Sequence, residues 1–182
     1  MRLMIFLCAT VVSPVYADVL FELHVGAEWF YEMEGTENRL GVVRIDTAHT
    51  VDGVLWYRLN EFGDVFWIRN GDGGQIEALN VDEDGPHMRG DADDELLVFH
   101  YPAEAGDRWS FFDTEVTYQG VQSMSLPAGS FDCHAYHLDM GDGDYSLSCF
   151  TPEVGLVYNE AVLDGGPKTV ARLLRFNLPT GQ

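Results

Sequence analysis

Apolar and polar side chains alternate with a period of two along most of the chain. Trp29, Tyr31 and Met33 alternate with Glu28, Glu32 and Glu34, and Val19, Phe21, Leu23 and Val25 alternate with Glu22 and His24. Such alternation places the apolar groups on one face of a half-buried strand. Turn-forming clusters interrupt it at short intervals, among them Asp52-Gly53, Phe62-Gly63-Asp64, Asn70 to Gly74, Pro127-Ala128-Gly129, Gly141 to Asp144 and Gly165-Gly166-Pro167. The pattern predicts strands at 19–33 (broken near Gly26), 39–47, 54–60, 64–69, 75–79 and 95–100. Further strands are predicted at 109–118, 131–138, 145–150, 155–162 and 169–177. No window shows sustained helical periodicity between caps. Strands at this spacing predict an all-β fold, a single antiparallel meander forming a sandwich or an open barrel. The segment Asn80 to Asp94 departs from the pattern and predicts an exposed acidic loop.

Ahead of the strands, residues 1–17 read MRLMIFLCATVVSPVYA. Arg2 gives a positive start, Leu3 to Val15 form an apolar run, and Val15-Tyr16-Ala17 fits a small-residue cleavage site. The run is shorter than the roughly 20 apolar residues a transmembrane helix needs, and no later stretch is apolar enough to span a bilayer. The reading is a signal peptide over 1–17 and a single all-β domain over 18–182, located outside the cytoplasm, periplasmic or secreted.

That cleavage removes Cys8 and leaves Cys133 and Cys149, an even number in an exported chain. The two are symmetric about Gly141, inside the turn cluster Asp139 to Gly143. If Gly141 is the hairpin tip, they face each other on paired strands, where a bridge needs Cα atoms about 4.4–6.8 Å apart. A structural disulfide is expected, and in the chain-entropy account a loop of this length is worth about 3 kcal/mol. Two buried free thiols are the alternative. No C-x-x-C pair points to redox chemistry.

Composition narrows the function classes. The 182 residues carry 10 Lys+Arg against 30 Asp+Glu, a formal net charge of −20, with 46% hydrophobic and 13% aromatic residues. The apolar share excludes a disordered chain. The charge excludes nucleic acid as a natural partner and disfavours anionic membrane surfaces. Lys168 is the only lysine. An acidic shell of this kind fits a saline environment, where salt screens the self-repulsion, and fits plain solubility equally well.

Candidate chemistry is sparse. Asn80-x-Asp82-x-Asp84-Gly85, with Asp91 at the twelfth position, matches part of a calcium loop, because alternating oxygens can fold round a hard cation. The match lacks the final bidentate Glu and helical flanks, and a solvated acidic loop is the plainer reading. Asp139, Asp142 and Asp144 form a weaker candidate of the same kind. His24, His49, His87, His100, His134 and His137 show no metal spacing. There is no Gly-x-Ser-x-Gly nucleophile elbow. Lys168 lacks the spacing of a phosphate loop. No catalytic residue and no cofactor is therefore expected. Trp29, Trp56, Trp67 and Trp109, with 8 Tyr and 11 Phe, predict a ring-filled β core, or a cavity lined by rings.

Three segments also carry a family resemblance. They are Trp67-Ile68-Arg69 followed by Asp72-Gly73-Gly74, then Leu126 to Cys133, then Thr151-Pro152-Glu153-Val154-Gly155-Leu156-Val157-Tyr158. Tyr101-Pro102 and Gly106-Asp107-Arg108-Trp109 fall between the first two. Over about residues 54–176 this order resembles the TapB-like exported bacterial β proteins of unknown function, with Glu153 where that family has glycine. The resemblance implies an extracytoplasmic β fold and no catalytic residue. The resulting expectation is a non-enzymatic exported protein that binds a hydrophobic small molecule or an envelope protein. The alternative is a hydrolase or metal-dependent enzyme using the acidic loop, with Asp82 and Asp84 as its residues. The sequence leaves the oligomeric state open.

Overall fold

The computed structural model describes residues 19–82, 85–88 and 94–179. The leader with Cys8 therefore lies outside the described residues. The strands are β1 (Glu28–Glu34), β2 (Leu40–Val51), β3 (Val54–Glu61), β4 (Asp64–Gly71), β5 (Gly74–Ala78), β6 (Val81–Asp82) and β7 (Gly85–Pro86). They continue with β8 (Glu95–His100), β9 (Arg108–Phe111), β10 (Thr114–Leu126), β11 (Gly129–Gly141), β12 (Asp144–Thr151), β13 (Gly155–Val162) and β14 (Thr169–Asn177). Among the described residues there is no helix.

Twelve of the strands form one antiparallel sheet in the order β8-β5-β4-β3-β2-β1-β14-β13-β12-β11-β10-β9. Sequential neighbours within the sheet pair, as a meander requires, except β8 and β9, and the first and last strands pair with each other from Glu28↔Asn177 to Glu34↔Val170. The sheet is an all-β barrel, closed through its termini and open at a seam between β8 and β9. Side chains bridge that seam in place of a backbone ladder. Trp109 Nε1 donates to Val98 O at 3.0 Å. Its ring stacks on His100 at 4.1 Å, and Tyr136 donates its hydroxyl to His100 O.

The predicted strand at 19–25 does not form. Gly26 adopts φ +87°, and a tight turn follows in which Ala27 N donates to His24 O and Gly26 N to Ile45 O. The chain turns away from the sheet there, and the preceding segment plugs one end of the barrel. Leu20, Phe21 and Leu23 are buried in the main core with Trp29, Phe150 and Val154. Phe21 stacks on Phe150 at 5.8 Å and meets Trp29 edge-on at 6.3 Å. Gly155, at φ +97°, leaves room for both rings: an added Cβ would stand 3.2 Å from Phe21 and 3.4 Å from Trp29. The left-handed position in this turn is Gly155, not Glu153, which is how the turn accommodates a glutamate where the resembling family has glycine.

A second, smaller core lies on the opposite face of β3, β4 and β5. Trp56, Trp67, Ile76 and Ala78 pack there with Val51, Met88 and Leu97. The cover comes from the described residues Gly85, Pro86 and Met88 of the 80–94 excursion, which at those positions is not a plain exposed loop. Gly85 and Pro86 are buried, Leu79 N donates to Asp94 O, and Asp94 is 3% exposed. Because this face is covered, β5 and the middle of β3 and β4 are buried on both sides.

Candidate functional site

The end of the barrel opposite the plug opens into a cavity of about 530 Å³, within the range of about 300–1,000 Å³ typical of small-molecule sites. Ten of the twelve barrel strands contribute to its wall, all but β2 and β10. A deeper cleft of about 70 Å³ continues it toward the plug, and Leu59, Glu61, Gln75, Phe99 and Ser148 line both. The two are one lumen, wide at the mouth and narrow at the floor. Grooves of about 420 and 520 Å³ also run along the outside of the β1–β2 hairpin. Each is bounded by a few neighbouring elements and is a surface crease rather than an enclosure.

Strand alternation decides what faces the lumen. On β4, Phe66 and Ile68 point in and Trp67 points to the second core. On β5 the same rule turns Ile76 and Ala78 outward and Gln75 and Glu77 inward. On β3, Leu59 and Glu61 share the lumen face. Most of the remaining wall is apolar, including Leu96, Val98, Phe111, Leu138 and Met140.

The polar groups divide into a satisfied side and an unsatisfied side. Asn159 Nδ2 donates to Ser146 Oγ at 3.0 Å and to Ser148 Oγ at 3.1 Å. Across the lumen, Gln75 is 6% exposed and its Nε2 has no hydrogen-bond partner. Burial pushes the Glu61 carboxyl up to about 7, and the nearby Glu77 and Asp64 add to the effect. Burial also pushes Glu77 up to about 7. Tyr31 is held well above the usual phenol range by burial and by Glu61, while its hydroxyl donates to Leu156 O at 2.7 Å. Among the described residues, none that lines the lumen is a lysine, arginine or histidine. The chemistry on offer is a low-dielectric cup with three carboxyl groups, Glu61, Asp64 and Glu77, and one free amide donor.

Aromatic and aliphatic side chains mark the mouth. Phe62 lines it at φ +53° and meets Tyr31 edge-on at 5.2 Å. Phe112, in the β9–β10 turn, has φ +46° and is 77% exposed, and Leu163 is 51% exposed.

The residues singled out in the sequence lie elsewhere. Asn80 Nδ2 donates to Asp94 Oδ1 at 2.7 Å. Asp82 pairs with His87 and accepts from Gly85 N. Neither lines the lumen, and Asp84 and Asp91 lie outside the described residues. Asp144 accepts from the backbone of Asp164 and Gly165, and Asp139 accepts from Gly141 N. The histidines are dispersed: His24 on Glu22, His49 on Trp67, His134 on Tyr118, His137 on Tyr145. Among the described residues, no group of three or more His, Cys, Asp or Glu could hold a metal ion.

Cys133 and Cys149 are joined, with Cα atoms 5.4 Å apart, on strand positions that alternate with the lumen-facing Leu138, Met140, Ser146 and Ser148. They do not face each other directly. The hairpin tip is Asp142-Gly143, not Gly141, and a bulge falls between Asp139 and Gly141, so Cys149 stands opposite Ala135. The bond runs diagonally across the ladder. Beyond it the β10–β11 hairpin reaches past β12 and β13, where Ala128 N donates to Leu173 O on β14.

No family model matches the chain, and no curated protein matches it, so the TapB-like resemblance rests on its motifs alone. Similar solved structures include a protein described as exported, with a YmcC-like fold, from Bacteroides fragilis NCTC 9343. It shares 13% identity at a TM-score of 0.42, covering 87% of this chain and 98% of that one. A protein described as a lipoprotein from Parabacteroides distasonis ATCC 8503 shares 13% identity at a TM-score of 0.36, with the same coverage.

Proposed function

We propose that this protein is an exported, non-enzymatic binding cup that takes a hydrophobic small molecule into its barrel lumen. The observation that carries this reading is the lumen itself: about 530 Å³, walled by ten strands, mostly apolar, plugged at one end and open at the other. Small barrels commonly fill their interiors with side chains, and a barrel that leaves such a space open is built to hold something. The leader-like segment and the cysteine pair support an oxidising location outside the cytoplasm. A ligand in the lumen explains more of the molecule than docking of an envelope protein does, because the unusual surface faces inward.

Titration with the neutral dye Nile red tests the reading. The expected result is one saturable site whose fluorescence rises on binding. Ala161→Phe, which fills the lumen from β13, should weaken that binding at least tenfold while leaving the fold intact by circular dichroism. Non-saturable binding, or binding indifferent to Ala161→Phe, overturns the proposal.

A further inference from the structure

The cup has a polar end, and its chemistry is incomplete without a ligand. Gln75 offers a buried amide donor with nothing to accept it. A donor left so is destabilising by about 1–3 kcal/mol unless something fills the position. Glu61 on β3 and Glu77 on β5 line the same space, on strands separated only by β4. The charged and titratable groups around Glu61 are Glu77, Asp64 and Tyr31. All are acidic or neutral, so among the described residues no internal cation balances the carboxylates. The protein thus presents three acceptors of positive charge, Glu61, Glu77 and Asp64, and one unpaired donor in a wall that is otherwise mostly apolar.

Resting on the binding-cup reading, we propose that the lumen selects an amphiphile whose head carries a protonated amine and an adjacent oxygen. The ammonium lies between Glu61 and Glu77, the oxygen accepts from Gln75 Nε2, and the hydrocarbon body lies against Phe66, Leu138 and Met140 toward the mouth. An organic cation fits better than a metal ion. The apolar wall would strip a metal of water without replacing its ligands, and no metal-competent cluster stands among the described residues. A fatty acid would bring a fourth carboxyl beside Glu61, Glu77 and Asp64, which like-charge repulsion opposes.

Binding is measured by calorimetry with three probes below their micelle-forming concentrations: 2-amino-1-dodecanol, 1-dodecanol and dodecanoate. At pH 8 the amino alcohol should bind at least tenfold more tightly than dodecanol, and dodecanoate more weakly than either. At pH 5.5, where Glu61 and Glu77 are protonated, the preference for the amine should shrink at least fivefold. The double variant Glu61→Gln/Glu77→Gln should lose the preference at pH 8 while keeping its dodecanol affinity, which also shows that the barrel is folded. Gln75→Leu should weaken the amino alcohol but leave unchanged the binding of dodecylamine, a fourth probe that lacks the oxygen. If dodecanol or dodecanoate matches the amino alcohol, or the preference survives in the double variant, the assignment of the head group is wrong and the cup reading stands. If none of the three binds, the cup reading itself is wrong.

Discussion

At the plugged end of the barrel Leu20, Phe21 and Leu23 are 0%, 4% and 7% exposed, and most polar groups there are matched, Asn70 Oδ1 excepted. Trp29 Nε1 donates to Val154 O, Tyr31 to Leu156 O, and Asn70 Nδ2 to Phe21 O. In the lumen above it three carboxyl groups, Glu61, Asp64 and Glu77, share the wall without a cation among the described residues and Gln75 Nε2 has no partner, while at the rim Phe112 stands exposed in a left-handed turn. One sheet supplies both ends, so strand propensity cannot explain the contrast. What differs is charge: the floor leaves one amide oxygen unmatched, whereas the lumen holds carboxyl groups with no cation beside them among the described residues. Departures of that kind concentrate where a protein meets a ligand, which is why the lumen and not the packed plug is the site.

The contrast is most sharply tested at the floor. Trp29→Ala removes a ring that is 2% exposed, vacates the space against Phe21 and leaves Val154 O without its donor. A loss of about 4 kcal/mol in urea denaturation is expected, whereas Met140→Ala, near the mouth and half-buried, should cost no more than about 1 kcal/mol. Equal losses at the two positions would erase the distinction between a packed floor and a working mouth.

The carboxyl pair gives the next largest effect, with the opposite sign. Glu61 and Glu77 titrate near 7 when folded and near the ordinary value of 4.5 when unfolded. Between those values the folded state holds protons that the unfolded state has released, so stability falls as pH rises from about 4.5 to 7 and levels off above it. Glu61→Gln/Glu77→Gln should flatten that decline, raising stability at pH 8 by about 2 kcal/mol once the shifts are discounted for the partial exposure of both side chains, and leaving it unchanged at pH 4.5. Tm followed from pH 4.5 to 8.5 is the measurement. Parallel curves for the two proteins would mean that the lumen is wetter and more polar than its walls imply.

The smallest effect is expected at the rim. Phe112→Asn places a residue that tolerates the left-handed region at φ +46°. A gain of about 0.5–1 kcal/mol, seen as a rise in Tm, would show strain carried at the mouth. No gain would place the rim with the rest of the barrel.

Much of the strand order was legible. The predicted strands at 54–60, 64–69, 145–150, 155–162 and 169–177 coincide with β3, β4, β12, β13 and β14 within a residue or two, because period-two alternation and Gly- or Asp-rich turns act locally. The predicted strand at 109–118 is two strands, β9 and β10. Its turn, Phe112-Asp113, carries an aromatic where turn chemistry leads one to expect Gly or Asn. The segment 19–25 has the alternation of a strand yet plugs the barrel, since buried apolar groups serve a plug as well as a sheet. The cysteines were legible as a pair, but their register depended on a bulge that no residue type announces.

The candidate site was not legible. Alternation on β5 reads naturally as Ile76 and Ala78 inward, with Gln75 and Glu77 toward solvent. The reverse holds, because Gly85, Pro86 and Met88 cover the outer face and give Ile76 and Ala78 a second core. By itself the sequence determined the strands, most turns and the β class, since these follow from interactions between near neighbours along the chain. Only the tertiary structure decided which face of each strand became the inside. Barrel closure brings β3, β5, β12 and β13 round one space, and whether Glu61, Gln75 and Glu77 meet water or each other is set by groups distant in the chain.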